Sequence, residues 1–220
     1  MTRTNVDASA GVLVFGASGH AKVVIDAIEK SADFSVRVLA DDNPALKGGT
    51  VYGYQVIGGK QELLERQEVW RPAAAIVAIG INRIRAEVAA WLEANGIELC
   101  PAICHPSVQL ARGVTVGAGS IIMAGALINA DARIGRNAII NTGAIVEHDC
   151  VIGDAVHVAP GSTLCGGIAV GDNTLVGAGA VIHPNLRIGK NVTIGAGATV
   201  IRDIPDGQTV VGTPATAMRR

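Results

Sequence analysis

From Leu110 to Val200 an aliphatic side chain stands at every sixth residue: Leu110, Val116, Ile122, Ile128, and so on without a break to Ile194 and Val200. Two positions before these, from Val114 on, the residues are mostly small: Ser120, Ala126, Ala132, Ala138, Ala144, Cys150, Ser162, Ala180 and Ala198 among them. A longer period lies over the first, with Gly117, Gly135, Gly153, Gly171, Gly189 and Gly207 each 18 residues apart. Six residues per side and 18 per turn predict a triangular coil of very short strands. Each strand sends one aliphatic side chain into the prism, and successive coils pair as parallel strands about 4.8 Å apart. Glycine is expected where a corner requires positive φ. A β-sandwich would instead alternate with period 2 between irregular loops, and this stretch does not.

The first hundred residues have a different pattern. Val12–Phe15 reads as a buried strand, followed by the loop Gly16-Ala-Ser-Gly19-His20 and a helical stretch over 23–30. Residues 36–39 form a second strand ending at Asp41-Asp42, and 73–79 a third. A helix over about 83–95 is stopped by Gly96. Alternating strands and helices predict a small parallel α/β sheet of Rossmann-like, mononucleotide-binding type. Cys100 to Pro106 is the expected joint, because its two prolines disfavour a continuing helix. The predicted division is a flexible N-terminus over 1–10, a Rossmann-like domain over 11–103, a parallel β-helix over 104–203 and a tail over 204–220.

Composition changes this picture little, except to narrow the classes of function. Hydrophobic residues are 49% of the 220, yet aromatics only 3%, as suits a layered aliphatic interior. Eighteen Lys and Arg against 19 Asp and Glu leave no basic footprint for nucleic acid and no polybasic membrane patch. No stretch approaches the length of a membrane span, and the N-terminal sequence lacks the apolar core of a signal peptide. The four cysteines, Cys100, Cys104, Cys150 and Cys165, are therefore expected as free thiols in a cytoplasmic protein. A metal pair at Cys100 and Cys104 has no second Cys or His pair at ligand spacing.

The repeat resembles the left-handed β-helix acyltransferases, and the left hand is implied by that resemblance alone. The chain as a whole resembles the nucleotide-sugar N- and O-acetyltransferases, a group that includes bacillosamine, perosamine and sialic acid acetyltransferases. The matching residues are Gly16 to His20, Asp41-Asp42, Ala78 to Arg83, His105-Pro106, Asn141 to Cys150 and Val211 to Ala215. The resemblance implies acetyl-CoA as co-substrate with no metal, a nucleotide-linked amino sugar as acceptor, and a homotrimer with active sites between subunits. GDP-perosamine or a UDP- or dTDP-linked 4-amino-4,6-dideoxyhexose fits best; a sialic acid O-acetyltransferase is the alternative.

Acyl transfer from a thioester needs a base near neutral pKa and a donor aimed at the developing oxyanion. His148, in Glu147-His148-Asp149, lies between the inward Val146 and Ile152 and is the candidate base, its ring expected outside the prism. The resemblance makes Asp149 its orienting partner, with Glu147 the competing choice. Gly166 is 18 residues beyond His148 and so one coil along, where its backbone N–H reaches a thioester oxygen; the resemblance assigns it that role. It also implies acetyl-CoA contacts at His157, Gly166, Gly177, Ala178 and Gly195, although the repeat by itself asks for small residues there. The loop at Ser18, Gly19 and His20 opens a helix, and helix N-termini favour anions. Its GxxG spacing departs from the dinucleotide fingerprint, and the resemblance places the nucleotide-sugar there with Asp41, Asp42 and Gly80. A plain solvated turn is the other reading of Asp41-Asp42. Two rival classes are a trimeric β-helix zinc enzyme, disfavoured by the nine-residue gap between His148 and His157, and an NAD-holding regulatory module.

Overall fold

The computed structural model describes residues 11–70 and 72–218; the expected N-terminal stretch 1–10 lies outside the described residues. Three parallel strands in the order β2-β1-β5 form the first sheet: β1 (Val12–Phe15), β2 (Val36–Ala40) and β5 (Ala74–Val77). Helix α1 (Gly19–Ser31) makes the crossover from β1 to β2, and its buried face (Ala21, Val24, Ile25, Ile28) follows helical spacing. Helix α4 (Asn82–Ala94) packs beyond β5, and Gly96 ends it with φ +77. Between β2 and β5 the chain adds a two-stranded hairpin, β3 (Thr50–Val51) with β4 (Tyr54–Gln55), and short helices α2 (Lys60–Glu65) and α3 (Gln67–Trp70). The sequence pattern had given no elements there.

The remainder is a three-faced parallel solenoid of two-residue rungs. One face carries six, from Gln109–Leu110 to Thr199–Val200; a second carries five, from Thr115–Val116 to Arg187–Ile188. The third runs from Ile103–Cys104 through His157–Val158 to Thr209–Val211, with Thr216–Ala217 added antiparallel at its end. Rungs pair with those 18 residues on, Ile145 with Thr163, Val151 with Ala169 and His157 with Leu175, until the last coil, which is two residues shorter and pairs Thr193 with Thr209. The aliphatic and small columns read from the sequence form one continuous core from Ile122 to Val210.

The structure corrects the expectation about glycine. Positive φ recurs at every sixth residue from Gly113 through Asp131, Asn137, Asp149, Gly161 and Asn173 to Gly197, a different series from the 18-spaced glycines, of which Gly207 alone, past the shortened last coil, has positive φ. Asn and Asp serve there as well as Gly because their short polar side chains tolerate the left-handed region. Gly117, Gly135, Gly153, Gly171 and Gly189 have ordinary φ and are needed for another reason: their neighbours in the next coil leave no room for a side chain. A Cβ at Gly135 would lie 2.6 Å from the carbonyl carbon of Gly153. Gly135→Ala is therefore expected to destabilise the fold by about 1–3 kcal/mol, the usual cost of overpacking, read as a lower urea midpoint. Gly143→Ala, at φ +64 with open space for a Cβ, should lose only the smaller backbone term.

The α/β unit sits on the third face. Val12, Ala21, Ile25 and Ile28 share one buried cluster with Ile121, Met123 and Ile139 of that face. The first and second faces meet at the edge that holds His148, on the opposite side of the prism.

Candidate active site

Glu147-His148-Asp149 makes the corner after rung Ile145–Val146. Asp149 turns it with φ 59, and the backbone is pinned to both neighbouring coils, Asp149 N–H donating to Ala130 O and Gly167 N–H to His148 O. The turn swings the Asp149 carboxylate beside the imidazole, with Oδ2 2.8 Å from His148 Nδ1. A carboxylate only accepts, so Nδ1 carries the proton and Nε2 is left to receive one. This hydrogen bond is the main cause raising the His148 pKa above the ordinary histidine value, and the charge of Glu147 adds to it. Glu147 itself turns away: its Oε2 accepts from Asn129 Nδ2 at 2.9 Å. Of the two flanking acids, Asp149 holds the ring.

One coil on, the ring lies against Gly166, where a Cβ would be 2.6 Å from both Cε1 and Nε2. The amide of the first residue of each corner still pairs with the next coil, as Glu147 N–H does with Leu164 O, whereas that of the second residue takes no part in coil-to-coil pairing. On the neighbouring edge such amides are capped by carboxylates: Arg136 N–H by Asp154, Asp154 N–H by Asp172 and Lys190 N–H by Asp206. The Gly166 N–H has no acceptor among the described residues. An imidazole nitrogen and a backbone amide without a partner among the described residues are thus neighbours on one edge, and these are the two kinds of group that transfer from a thioester uses.

A second cluster forms between the α/β unit and the third face. His157 projects outward from its rung, its Nε2 3.0 Å from Asn141 Nδ2 and its Nδ1 3.3 Å from Gly80 O. Asn141 Oδ1 accepts from Thr142 N–H, so its amide nitrogen donates to His157 and fixes the Nδ1–H tautomer. Burial, then the Arg85 charge, lowers His157 to about 4; His20, 6.5 Å away between ring centroids, is lowered to about 4 by burial, His157 and Arg85. Both rings are neutral at physiological pH. Ser18 caps α1 without a side-chain hydrogen bond, and beside Gly19 the space is open. Asp41 and Asp42 are already engaged. Asp41 accepts from Ala17 N–H (2.7 Å) and Asn43 N–H (2.8 Å), bracing the Gly16–His20 loop, and Asp42 accepts from Lys60 N–H at the start of α2.

Residues 11–92 match the PglD N-terminal domain family, and residues 131–166 and 167–202 match the bacterial transferase hexapeptide family of six repeats. A curated relative, UDP-N-acetylbacillosamine N-acetyltransferase of Bacillus subtilis, is 37% identical over 114 residues, 51% of either chain, so the match spans about half its length. Two solved structures match over nearly their whole lengths. One is perosamine N-acetyltransferase from Caulobacter crescentus, in a variant with asparagine in place of a histidine and in complex with CoA and GDP-perosamine. It is 38% identical over 96% of this chain and 97% of that one, with a TM-score of 0.89. The other, the acetyltransferase domain of PglB from Neisseria gonorrhoeae, is 36% identical over 94% of this chain and 98% of that one, with a TM-score of 0.87. The chain belongs to the hexapeptide-repeat nucleotide-sugar acetyltransferases. The solenoid is accordingly a left-handed β-helix, and the protein an acyltransferase.

Within this acetyltransferase the predicted site residues fall into three groups. His148, Asp149 and Gly166 come together on one edge. His20, Gly80 and His157 come together on the third face, next to Ser18 and Gly19. Gly177, Ala178 and Gly195 lie on the edge joining the third and first faces. There Gly177 is required by packing, since a Cβ would lie 2.5 Å from Ile194 O, whereas Ala178 is exposed. One copy does not bring the three groups together. Among the described residues no three His, Cys, Asp or Glu side chains gather as a metal site, and no helix is long and apolar enough to cross a membrane. The four cysteines are unpaired, and burial pushes Cys100 up to about 12 and Cys104 to about 11.

Proposed function

We propose that this acetyltransferase moves the acetyl group of acetyl-CoA to the 4-amino group of a nucleotide-linked 4-amino-4,6-dideoxyhexose, GDP-perosamine or a UDP- or dTDP-linked analogue. The contact of the His148 imidazole with Gly166, with Asp149 at its far nitrogen, carries the proposal. The acceptor amine attacks the thioester carbonyl carbon, and His148 Nε2 takes its proton. The oxyanion is held by the Gly166 N–H; when the intermediate collapses, the C–S bond breaks and the imidazolium returns the proton to the CoA thiolate. Acetyl-CoA would pass His157, Gly177, Ala178 and Gly195; the nucleotide-sugar would take Ser18, Gly19, His20 and Gly80, with Asp41 and Asp42 shaping the loop. The known binding of CoA and GDP-perosamine by the Caulobacter relative supports both assignments.

The separation of the three groups supports a homotrimer with sites between copies. The third face is covered over its earlier coils by the chain's own α/β unit. The two bare faces, with exposed Leu127, Val151 and Val181, flank the His148 edge. Apolar side chains beside a reactive edge suit a neighbour that completes it. The proposed compartment is the cytoplasm, in keeping with four free thiols.

Screening nucleotide-linked amino sugars with acetyl-CoA, following thiol release, tests the reading. Release that depends on a 4-amino sugar supports it. Release with a sialic acid alone transfers the case to O-acetylation, and none with any acceptor overturns it. The pH profile tests the dyad. His148 must be neutral to act, so kcat falls as pH drops through its raised pKa. Asp149→Asn removes the main cause of that elevation, and the acidic limb is expected to move to lower pH along with a lower plateau. An acidic limb that stays in place would contradict the pairing.

A further inference from the structure

The residue that turns each corner with positive φ leaves its carbonyl out of the bonds between coils, and a buried carbonyl needs a donor. Along the edge between the second and third faces these residues run from Gly119 to Asn191, with Asn137, Ala155 and Asn173 in the three successive coils between them. Helix α4 satisfies all three. Arg85 Nε donates to Asn137 O (2.9 Å) and Arg85 Nη2 to Ala155 O (2.7 Å), while Asn82 Nδ2 donates to Asn173 O (3.0 Å). The two side chains are joined, Arg85 Nη2 donating to Asn82 Oδ1 at 3.0 Å. Arg85 Nη1 turns back to the carbonyls of Ile79 (3.0 Å) and Gly80 (3.2 Å).

Arg85 is 1% exposed, and its hydrogen bonds among the described residues go only to neutral oxygens. Burial pulls its pKa down to about 10. A buried guanidinium without a counter-ion is an expensive way to join two surfaces; apolar side chains do so at lower cost. What a planar fork of five donors adds is direction. It fixes the 79–82 loop from one side, while His157, whose Nδ1–H points to Gly80 O, fixes it from the other.

We propose that Arg85, acting with Asn82, is a positioning residue: it grips the corner carbonyls of three consecutive coils and so sets the height and rotation of the 79–82 loop, and of the acceptor bound there, against the β-helix. The inference rests on the acceptor site proposed above. Its test compares wild type with Arg85→Met and Arg85→Lys as full-length protein, measuring steady-state constants for both substrates and amide hydrogen exchange without ligand. Displacing a substrate by about 1 Å can cost up to roughly 10²-fold, so KM for the nucleotide-sugar is expected to rise about tenfold or more in Arg85→Met and less in Arg85→Lys, with KM for acetyl-CoA within about twofold. Exchange should quicken over residues 16–20 and 79–84 and stay unchanged along the His148 edge. Equal changes in both KM values, exchange raised throughout the chain, or no local change at the loop would each overturn the proposal. If Arg85→Met does not fold, Arg85→Lys and Asn82→Ala carry the same comparison. Failure of wild type to acetylate any amino sugar would refute the acceptor assignment instead, and the exchange result would still decide whether Arg85 grips the loop.

Discussion

Replacing His148 with alanine is expected to lower kcat by about 10²–10⁴-fold, the usual contribution of a positioned general base, while Tm stays within about a degree of wild type. The two halves of this expectation rest on separate observations. The side chain is 61% exposed and bonded only to Asp149, so the fold loses almost nothing when it goes. The chemistry loses the proposed base, an imidazole beside Gly166 whose pKa the Asp149 hydrogen bond raises. The remaining activity should rise with pH, because solvent must then take the proton. Parallel steady-state assays and thermal melts check both halves. A variant with near-wild-type turnover would remove His148 from the mechanism, and a large fall in Tm would make the rate uninterpretable as chemistry.

Gly166→Ala is expected to lower kcat by about 10²-fold, as misplacing a catalytic group by an ångström does, again with little effect on stability. Gly166 has ordinary φ, so alanine fits the backbone. The new methyl would lie 2.6 Å from Cε1 and Nε2 of an exposed ring that is free to swing outward. The ring gives way and the coil does not. Gly135→Ala should show the reverse signature, because there the obstacle is the backbone of Gly153. Two glycine-to-alanine changes in the same solenoid would then separate cleanly, one read in kcat and the other in the urea midpoint. If Gly166→Ala turned over like wild type, the contact between ring and coil would have no catalytic meaning.

The inner columns of the solenoid were legible because the aliphatic position recurs without exception from Ile122 to Val200, and the position two before it is small in most coils, Val156, Ile168, Leu186 and Val192 being the larger ones. The corners were not. Gly, Asn, Asp and even Ala155 satisfy the same left-handed turn, so the series that bends the chain has no single-letter signature, while the visible 18-residue glycines answer to packing between coils. That His148 and Gly166 are neighbours was legible because a fixed period converts spacing directly into adjacency. The choice between Glu147 and Asp149 needed coordinates, since it depends on which acid Asn129 engages. Arg85 went unnoticed, and Asn82 stood in the matching stretch Ala78 to Arg83 without a role, for a different reason. Their partners are backbone carbonyls at residues 137, 155 and 173, and a carbonyl belongs to every residue type. Asp41 and Asp42 were visible as acids, but their use in bracing a loop shows only in the hydrogen bonds to Ala17 and Lys60.

The strict register of the coils also restricts how this chain can change in length. Loss of one residue from the inward columns would bring every later inward side chain to the wrong place, so length changes there come in whole coils, of 18 residues through most of the column and of 16 at its end, where Thr193 pairs with Thr209. A turn added beyond Gly195 would simply lengthen the column. One added between His148 and Gly166 would preserve the stack and move the base about 4.8 Å, a full rung, from its amide.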